Sequence, residues 1–421
     1  MKVLGVADSD SYVKWGATIL DRMPDSWQRS LTVIRTPALP SRGQLASALS
    51  GSQFTVSETA VLDLADLARI VANEKPDVVL LSVRGPVVRV LVRMIVASSQ
   101  VRPVIVSGLP GISIPETLNA LYYRSQVDYF LLHSKREVRA FSALAEQLGI
   151  EQEFGLATLP FLLPRHPDAK LGTDIVFAPQ AKVPRHLHSR KRMLGWLVDT
   201  ARNNPDRRVV IKLRGVAGEA QTHAEHHPYD VMLAQLHDAP DNLIVSTGSM
   251  SKHLADAGAL VTVSSTATLE AIAAGVPVLA IDEFGVSGPL INIVFEDSGL
   301  LGDSDALIGA DFRHPNEHWL DDNYFHGPSD ENWVAGIESA VARRAAGELP
   351  LRPQFRASVG GDLRRVWDRK RALGSYDRSP LGYFALAIGT PLRSLVRTYR
   401  RVRPKAQPGP QASAEDLARV P

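Results

Sequence analysis

The chain has 421 residues, 45% hydrophobic and 22% charged, with 47 Lys and Arg against 45 Asp and Glu and no cysteine. That length supports two separate cores and a tail. A net charge of +2 excludes a globally basic nucleic-acid coat. The lack of cysteine excludes disulfides, thiolate zinc sites, iron–sulfur clusters and a cysteine nucleophile. The opening MKVLGVADSDSYVKWG places Asp8 and Asp10 where the apolar region of a signal peptide would continue. No run of about 18 apolar residues is present. The expectation is a cytoplasmic protein that does not span a bilayer.

In chain order, Val-, Ile- and Leu-rich runs at Lys2–Ala7, Leu31–Arg35, Asp77–Ser82, Pro103–Ser107 and Asp128–His133 predict strands buried on both faces of a parallel sheet. Helix-length stretches lie between them, as at Leu62–Asn73, Pro86–Ala97 and Lys135–Leu148. Gly155–Leu171 carries three prolines and interrupts the rhythm as an interdomain crossing. The alternation then restarts with strands at Thr173–Pro179, Arg208–Leu213, Asn242–Ser246, Ala259–Ser264 and Pro277–Ile281. Helices are expected at His186–Asn203, Tyr229–His237, Ser249–Ala257 and Ala267–Ala274. The pattern is two doubly wound α/β domains, over 1–160 and 171–345, with a cleft between them. Helices at Glu331–Arg344 and Asp362–Leu373 lead into a basic amphipathic extension over 346–405, and 406–421 is Pro/Ala/Gln-rich and reads as disordered.

In Leu260–Asp282 a strand ends in Ser264-Ser265-Thr266, a helix begins, and Gly275-Val276-Pro277 turns into the next strand. Ligands of open α/β sheets bind beyond the carboxyl ends of strands, where helix N-termini point N–H groups outward. Hydroxyls there suit a phosphate, and Glu270, one turn on, suits ribose hydroxyls. The competing account is an ordinary helix cap. Val209–Tyr229 delivers Lys212 and Arg214 to another strand end, followed by Glu219, Thr222, His223, His226 and His227-Pro228. Cations there would neutralise a leaving phosphate, and a His could do so by hydrogen bonding. The three histidines match no catalytic zinc spacing, so neither a metal site nor a cofactor is expected. Gln180 and Lys182 lie at a third strand end. In the first half, Asp8, Ser9, Asp10, Tyr12 and Lys14 follow the first strand, Ser107-Gly108-Leu109-Pro110-Gly111 another, and His133-Ser134-Lys135 the last. Asp8 or Asp10 could act as general base toward a hydroxyl, or cap a helix. G-x-G-x-x-G after the first strand, the P-loop pattern and G-x-S-x-G are all missing.

The segment SST-x3-E-x4-GVPVLAI resembles the donor domain of GT-B glycosyltransferases, in which two Rossmann-like domains face each other. FAPQ, KLR with a later His-Pro, and SST are similar to the bacterial sialyl-, polysialyl- and Kdo-transferase group, which uses CMP-activated sugars. The layout is also similar to an uncharacterised actinobacterial glycosyltransferase family. In the related enzymes the His-Pro pair follows its strand directly; here His227-Pro228 comes fourteen residues after Leu213.

The resemblance implies an inverting, metal-independent enzyme that moves a sugar from a nucleotide-linked donor to a cell-envelope glycan or lipid-linked acceptor. Gln180, Lys212, Arg214, Ser264, Ser265, Thr266 and Glu270 would bind the donor. His223 or His227 would assist departure of the nucleotide, and Asp8 or Asp10 would deprotonate the acceptor. Rival readings are a nucleotide-sugar 2-epimerase of the same fold and a non-catalytic subunit of a polysaccharide assembly complex. Ser379–Lys405 carries six basic residues and no acidic one among apolar side chains. Arg393, Arg397 and Arg400 fall at helical spacing. This segment is expected on an anionic membrane surface at the inner face of the cell membrane.

Overall fold

A computed structural model describes residues 1–159, 162, 170–181, 183–213, 227–355 and 361–389. Seven parallel strands form the first sheet: β1 Lys2–Ala7, β2 Gln28–Ile34, β3 Ala60–Leu62, β4 Val78–Ser82, β5 Val104–Gly108, β6 Tyr129–Leu132 and β7 Phe154–Leu156. Their order is β3-β2-β1-β4-β5-β6-β7. Six more form the second: β8 Asp174–Phe177, β9 Val209–Lys212, β10 Leu243–Ser246, β11 Ala257–Thr262, β12 Val278–Ile281 and β13 Leu301–Gly302. Their order is β10-β9-β8-β11-β12-β13. Both sheets reverse winding direction beside their first strand, between β1 and β4 and between β8 and β11. Those reversals open the crevices where ligands of such sheets bind.

The interior strands follow the apolar runs because both of their faces are covered. Every residue of β4, β5, β6, β8, β9 and β12 is buried. Two apolar clusters flank the first sheet and two flank the second. The edge strands β3, β7 and β13, of two or three residues, escape the sequence pattern because so short a run has no period.

The chain returns to the first domain at its end. The helix Trp333–Ala345 buries Trp333, Ile337 and Ala340, one stripe at i, i+4 and i+7, in a cluster with Val104, Val106, Tyr129 and Leu131. A Cβ on Gly336 would meet the Tyr129 hydroxyl at 2.1 Å, so glycine is what lets the helix approach β6. The expected boundary at 345 is therefore corrected: this helix packs on the first sheet, not the second. The helix Gly361–Leu373 likewise places Ala372 and Leu373 in the first domain's core. A further helix covers 380–389. No helix among the described residues is long and apolar enough to cross a membrane.

Candidate functional site

The carboxyl ends of the two sheets face one another. Between them lies a cleft of about 400 Å³, lined from the first domain by Ser11 and the loop Leu109–Pro115 and from the second by Thr266, Gly288 and Ile291. A Cβ on Gly111 would come within 2.9 Å of Thr266 Oγ1, so only glycine permits this approach of loop to helix start. Lys14 Nζ, on the helix Asp10–Asp21, reaches Glu270 Oε2 at 3.4 Å across the cleft.

On the second-domain wall, Ser264, Ser265 and Thr266 join β11 to the helix Ala267–Ala273. Ser265 Oγ accepts from the Ala267 N–H at 3.2 Å, and the Ser265 N–H donates to Thr262 Oγ1 at 3.1 Å. Ser265 thus caps the helix and keeps its own O–H to donate. Thr266 makes no side-chain cap and lines the cleft. Gln180 and Ser264 form a reciprocal pair: the Gln180 amide donates to the Ser264 carbonyl at 2.8 Å, and the Ser264 hydroxyl donates to Gln180 Oε1. Both therefore tie the end of β8 to the end of β11, which positions the hydroxyl loop. Glu270 lies one turn beyond Thr266 with its side chain 17% exposed. Lys212 ends β9 and is buried. Arg214, His223, His226 and Lys182 lie outside the described residues.

One residue of this wall went unnoticed in the sequence. Arg190 is 1% exposed and donates to the carbonyls of Pro184 (2.9 Å), Gln180 (2.5 Å), Ala181 (3.0 Å) and His227 (2.9 Å). Its guanidinium also stacks on Tyr229 at 4.9 Å. It fixes both the loop after β8 and the His227-Pro228 entry to the helix Tyr229–Ala234. The signal was available: Arg190 opens the apolar stripe Met193, Leu194, Leu197, Ala201 of its helix, where a charge must find partners.

The first-domain wall is built from buried ionisable groups. Asp8 is fully buried, with Oδ2 accepting from Arg84 Nε at 2.8 Å and Oδ1 from the Arg84 N–H at 3.2 Å. Burial pushes its carboxyl above the usual range, and the Arg84 charge opposes this. As a candidate base Asp8 is therefore corrected: its carboxylate is enclosed and committed to Arg84. Asp10 is half-buried in the first helical turn, beside Ser11 on the cleft.

Trp15 Nε1 donates to His133 Nε2 at 2.7 Å, which leaves Nδ1 to donate to the Ala157 carbonyl at 2.8 Å. Burial lowers the His133 ring to about 4, so it is neutral at pH 7. Glu137 accepts from the N–H groups of Ser113 and His133, both at 2.8 Å, and from the Tyr324 hydroxyl of the second domain at 2.6 Å. Burial raises its carboxyl to about 6 despite these bonds. Ser113 belongs to the cleft loop, so Glu137 links that loop to the facing domain.

A family model described as "Putative glycosyltransferase (DUF6716)" matches residues 3–340. No curated protein matches the chain. Among solved structures, the S. aureus MnaA–UDP co-structure aligns with a TM-score of 0.51 at 12% identity, over 85% of this chain and 100% of that one. A Listeria monocytogenes structure titled as a putative UDP-N-acetylglucosamine 2-epimerase aligns with a TM-score of 0.52 at 13% identity, over 85% and 99%. At such identities the likeness is one of fold. With two facing parallel-sheet domains, that fold is GT-B.

Proposed function

The chain belongs to the family described as "Putative glycosyltransferase (DUF6716)", whose model spans residues 3–340, and from that premise we propose that it transfers a sugar from a nucleotide-activated donor to an acceptor held by its first domain. The observation that carries this reading is the second-domain wall. There Ser265, Thr266 and Glu270 stand at the winding reversal of the sheet, facing the first domain across a cleft that Thr266 lines.

In this scheme the Ser265 and Thr266 hydroxyls and the cations Lys212 and Arg214 take the donor phosphates, and Glu270 takes the ribose. Gln180, Ser264 and Arg190 position these groups. His223 or His227 assists the departing nucleotide. Asp10 removes the acceptor proton as the new glycosidic bond forms, which inverts the sugar carbon; charge neutralisation by Lys212 and Arg214 is the reason no divalent cation is required. Leu109, Pro110, Ile112 and Ile114 give the acceptor side an apolar floor, which favours a lipid-linked acceptor over a bare glycan. The helix 380–389 exposes Leu381, Tyr383 and Phe384. It leads into Arg393, Arg397 and Arg400, outside the described residues, as an anchor on an anionic membrane.

The test is a melting-temperature screen against CMP, UDP, GDP and their sugars, beginning with the CMP-linked donors of the narrower resemblance. Only a ligand that binds the native state raises the melting temperature. Ser265→Ala should weaken binding of the hit by roughly 1–3 kcal/mol. No shift with any nucleotide, or unchanged affinity in Ser265→Ala, sinks the donor site. Product analysis then decides the reaction. A 2-epimer formed from a UDP-N-acetylhexosamine without acceptor would assign the epimerase instead.

A further inference from the structure

We propose that Glu137 and Tyr324 are positioning residues: their hydrogen bond across the domain boundary ties the shape of the cleft loop Leu109–Pro115 to closure of the two domains. The inference rests on the reading that the first domain holds the acceptor, because that loop is the acceptor side of the cleft. Both side chains are buried and neither lines the cleft, so they act through the loop and touch no reacting group.

The helix Lys135–Gln147 accounts for only half of the Glu137 carboxylate. Ser134 Oγ accepts from the Glu137 N–H at 3.0 Å, and Oε2 accepts from the His133 N–H at 2.8 Å, an exchange that secures a helix start. Oε1 turns away from the helix. It accepts from the Ser113 N–H of the loop at 2.8 Å and from the Tyr324 hydroxyl of the second domain at 2.6 Å. Burial and the Glu137 charge hold that hydroxyl well above its usual range, so it stays protonated and donates.

Tyr324 also stands where glycine would be the ordinary choice. It follows the helix Glu317–Asp322, whose end is closed by the Phe325 N–H donating to the Leu320 carbonyl at 3.1 Å, and its φ is 70°. That left-handed position favours glycine, and an aromatic residue adopts it only under strain. Strain of this kind persists where the surroundings enforce it, and here what the side chain reaches is the other domain. The loop meets the second domain in two more places. Ile114 is 3% exposed and sits in one cluster with Tyr324, Leu260 and Ala267, and Gly111 lies against Thr266. Parting the domains would draw Ile114 out of that cluster and take the Tyr324 donor from the oxygen that Ser113 shares. Acceptor binding would then have to restore the loop, which weakens apparent affinity and leaves the step after binding unchanged.

Two variants separate this latch from a general loosening of the core. Tyr324→Phe keeps the ring and removes the donor. Trp319→Phe removes a buried donor from the same cluster, one whose bond, Nε1 to the Val294 carbonyl at 2.8 Å, stays within the second domain. Hydrogen–deuterium exchange is followed on peptides covering 109–115 in the intact protein without ligand. Exchange there should be about tenfold faster in Tyr324→Phe, the order set by one lost buried hydrogen bond, and should keep the parent's rate in Trp319→Phe. This arm reads neither donor binding nor transfer, so failure of the transferase reading leaves it standing. The second arm measures transfer to octyl β-glucoside as the acceptor probe. Its KM should rise about tenfold in Tyr324→Phe, with kcat and the nucleotide-induced melting shift equal to the parent's. The parent's exchange rate in Tyr324→Phe, or equal acceleration in both variants, overturns the latch. A lower kcat at unchanged KM overturns the positioning role.

Discussion

The two walls of the cleft solve opposite problems. The first-domain wall commits its buried ionisable groups: Asp8 to Arg84, His133 to Trp15 and Ala157, and Glu137 to Ser113, His133 and, from the facing domain, Tyr324. The second-domain wall buries Ser264, Ser265 and Lys212 as well, but it leaves Thr266 on the cleft without a side-chain cap and pairs Glu270 with a partly exposed lysine across it. A buried network in which every member is satisfied makes a rigid frame. Hydroxyls at a strand end that can still donate suit a ligand. The difference teaches that ionisable residues at strand ends are not equivalent candidates for chemistry, since burial and partners decide which remain available.

Asp8 and Asp10 are the sharpest way to break that contrast, because two residues separate a buried carboxylate held by Arg84 from one in the first helical turn beside the cleft. Asp10→Asn should lower turnover by about two to four orders of magnitude and leave the melting temperature nearly unchanged. Steady-state transfer rates and a melting curve on one preparation check both. Asp8→Ala should do the reverse. It leaves Arg84 without its partner and costs about 2–4 kcal/mol of stability, less than a fully buried pair because Arg84 is a third exposed. Donor affinity should not change. Denaturant unfolding showing no loss of stability would remove Asp8 from the frame.

The frame also has a titration signature. The folded state holds the Glu137 proton up to about 6, above the ordinary 4.5. It therefore binds the proton more tightly than the unfolded chain does, and this contribution to stability falls as pH rises from about 4.5 to 6. His133 has the opposite sign: its ring is held down to about 4 from 6.5, so its contribution grows as pH rises through that interval. The two windows overlap and largely cancel in the parent. Glu137→Gln should uncover the His133 term. Relative to the parent, its stability should rise by about 2 kcal/mol between pH 4.5 and 6, measured by urea unfolding at half-unit steps. A constant difference across that range would mean that Glu137 titrates normally.

How much of this was legible follows from the same distinction. Interior strands were readable because burial on both faces forces continuous apolar runs, and the hydroxyl loop was readable because hydroxyls at a strand end before a helix are chemically conspicuous. What was missed depends on contacts between distant segments. Arg190 reaches loops up to 37 residues away. Asp8 and Asp10 look alike until Arg84, 76 residues on, takes one of them. The helix Trp333–Ala345 carries an apolar stripe that fits either sheet, and only packing against β5 and β6 selects the first.

The smallest effect lies where the two walls touch. Lys14 and Glu270 meet at 3.4 Å with side chains 40% and 17% exposed, so the pair is worth under about 1 kcal/mol. For Glu270 to accept from a ribose, its carboxylate must leave Lys14, and that exchange lowers donor affinity by the energy of the pair. Lys14→Gln should therefore tighten nucleotide binding, by no more than about fivefold, since each 1.4 kcal/mol is tenfold. Because the pair is exposed to salt, the parent's affinity should approach the variant's as ionic strength rises. Calorimetric titration at low and high salt reads both effects. Weaker binding in Lys14→Gln would instead place the lysine on the donor phosphates, and the first wall would then contribute a ligand as well as a frame.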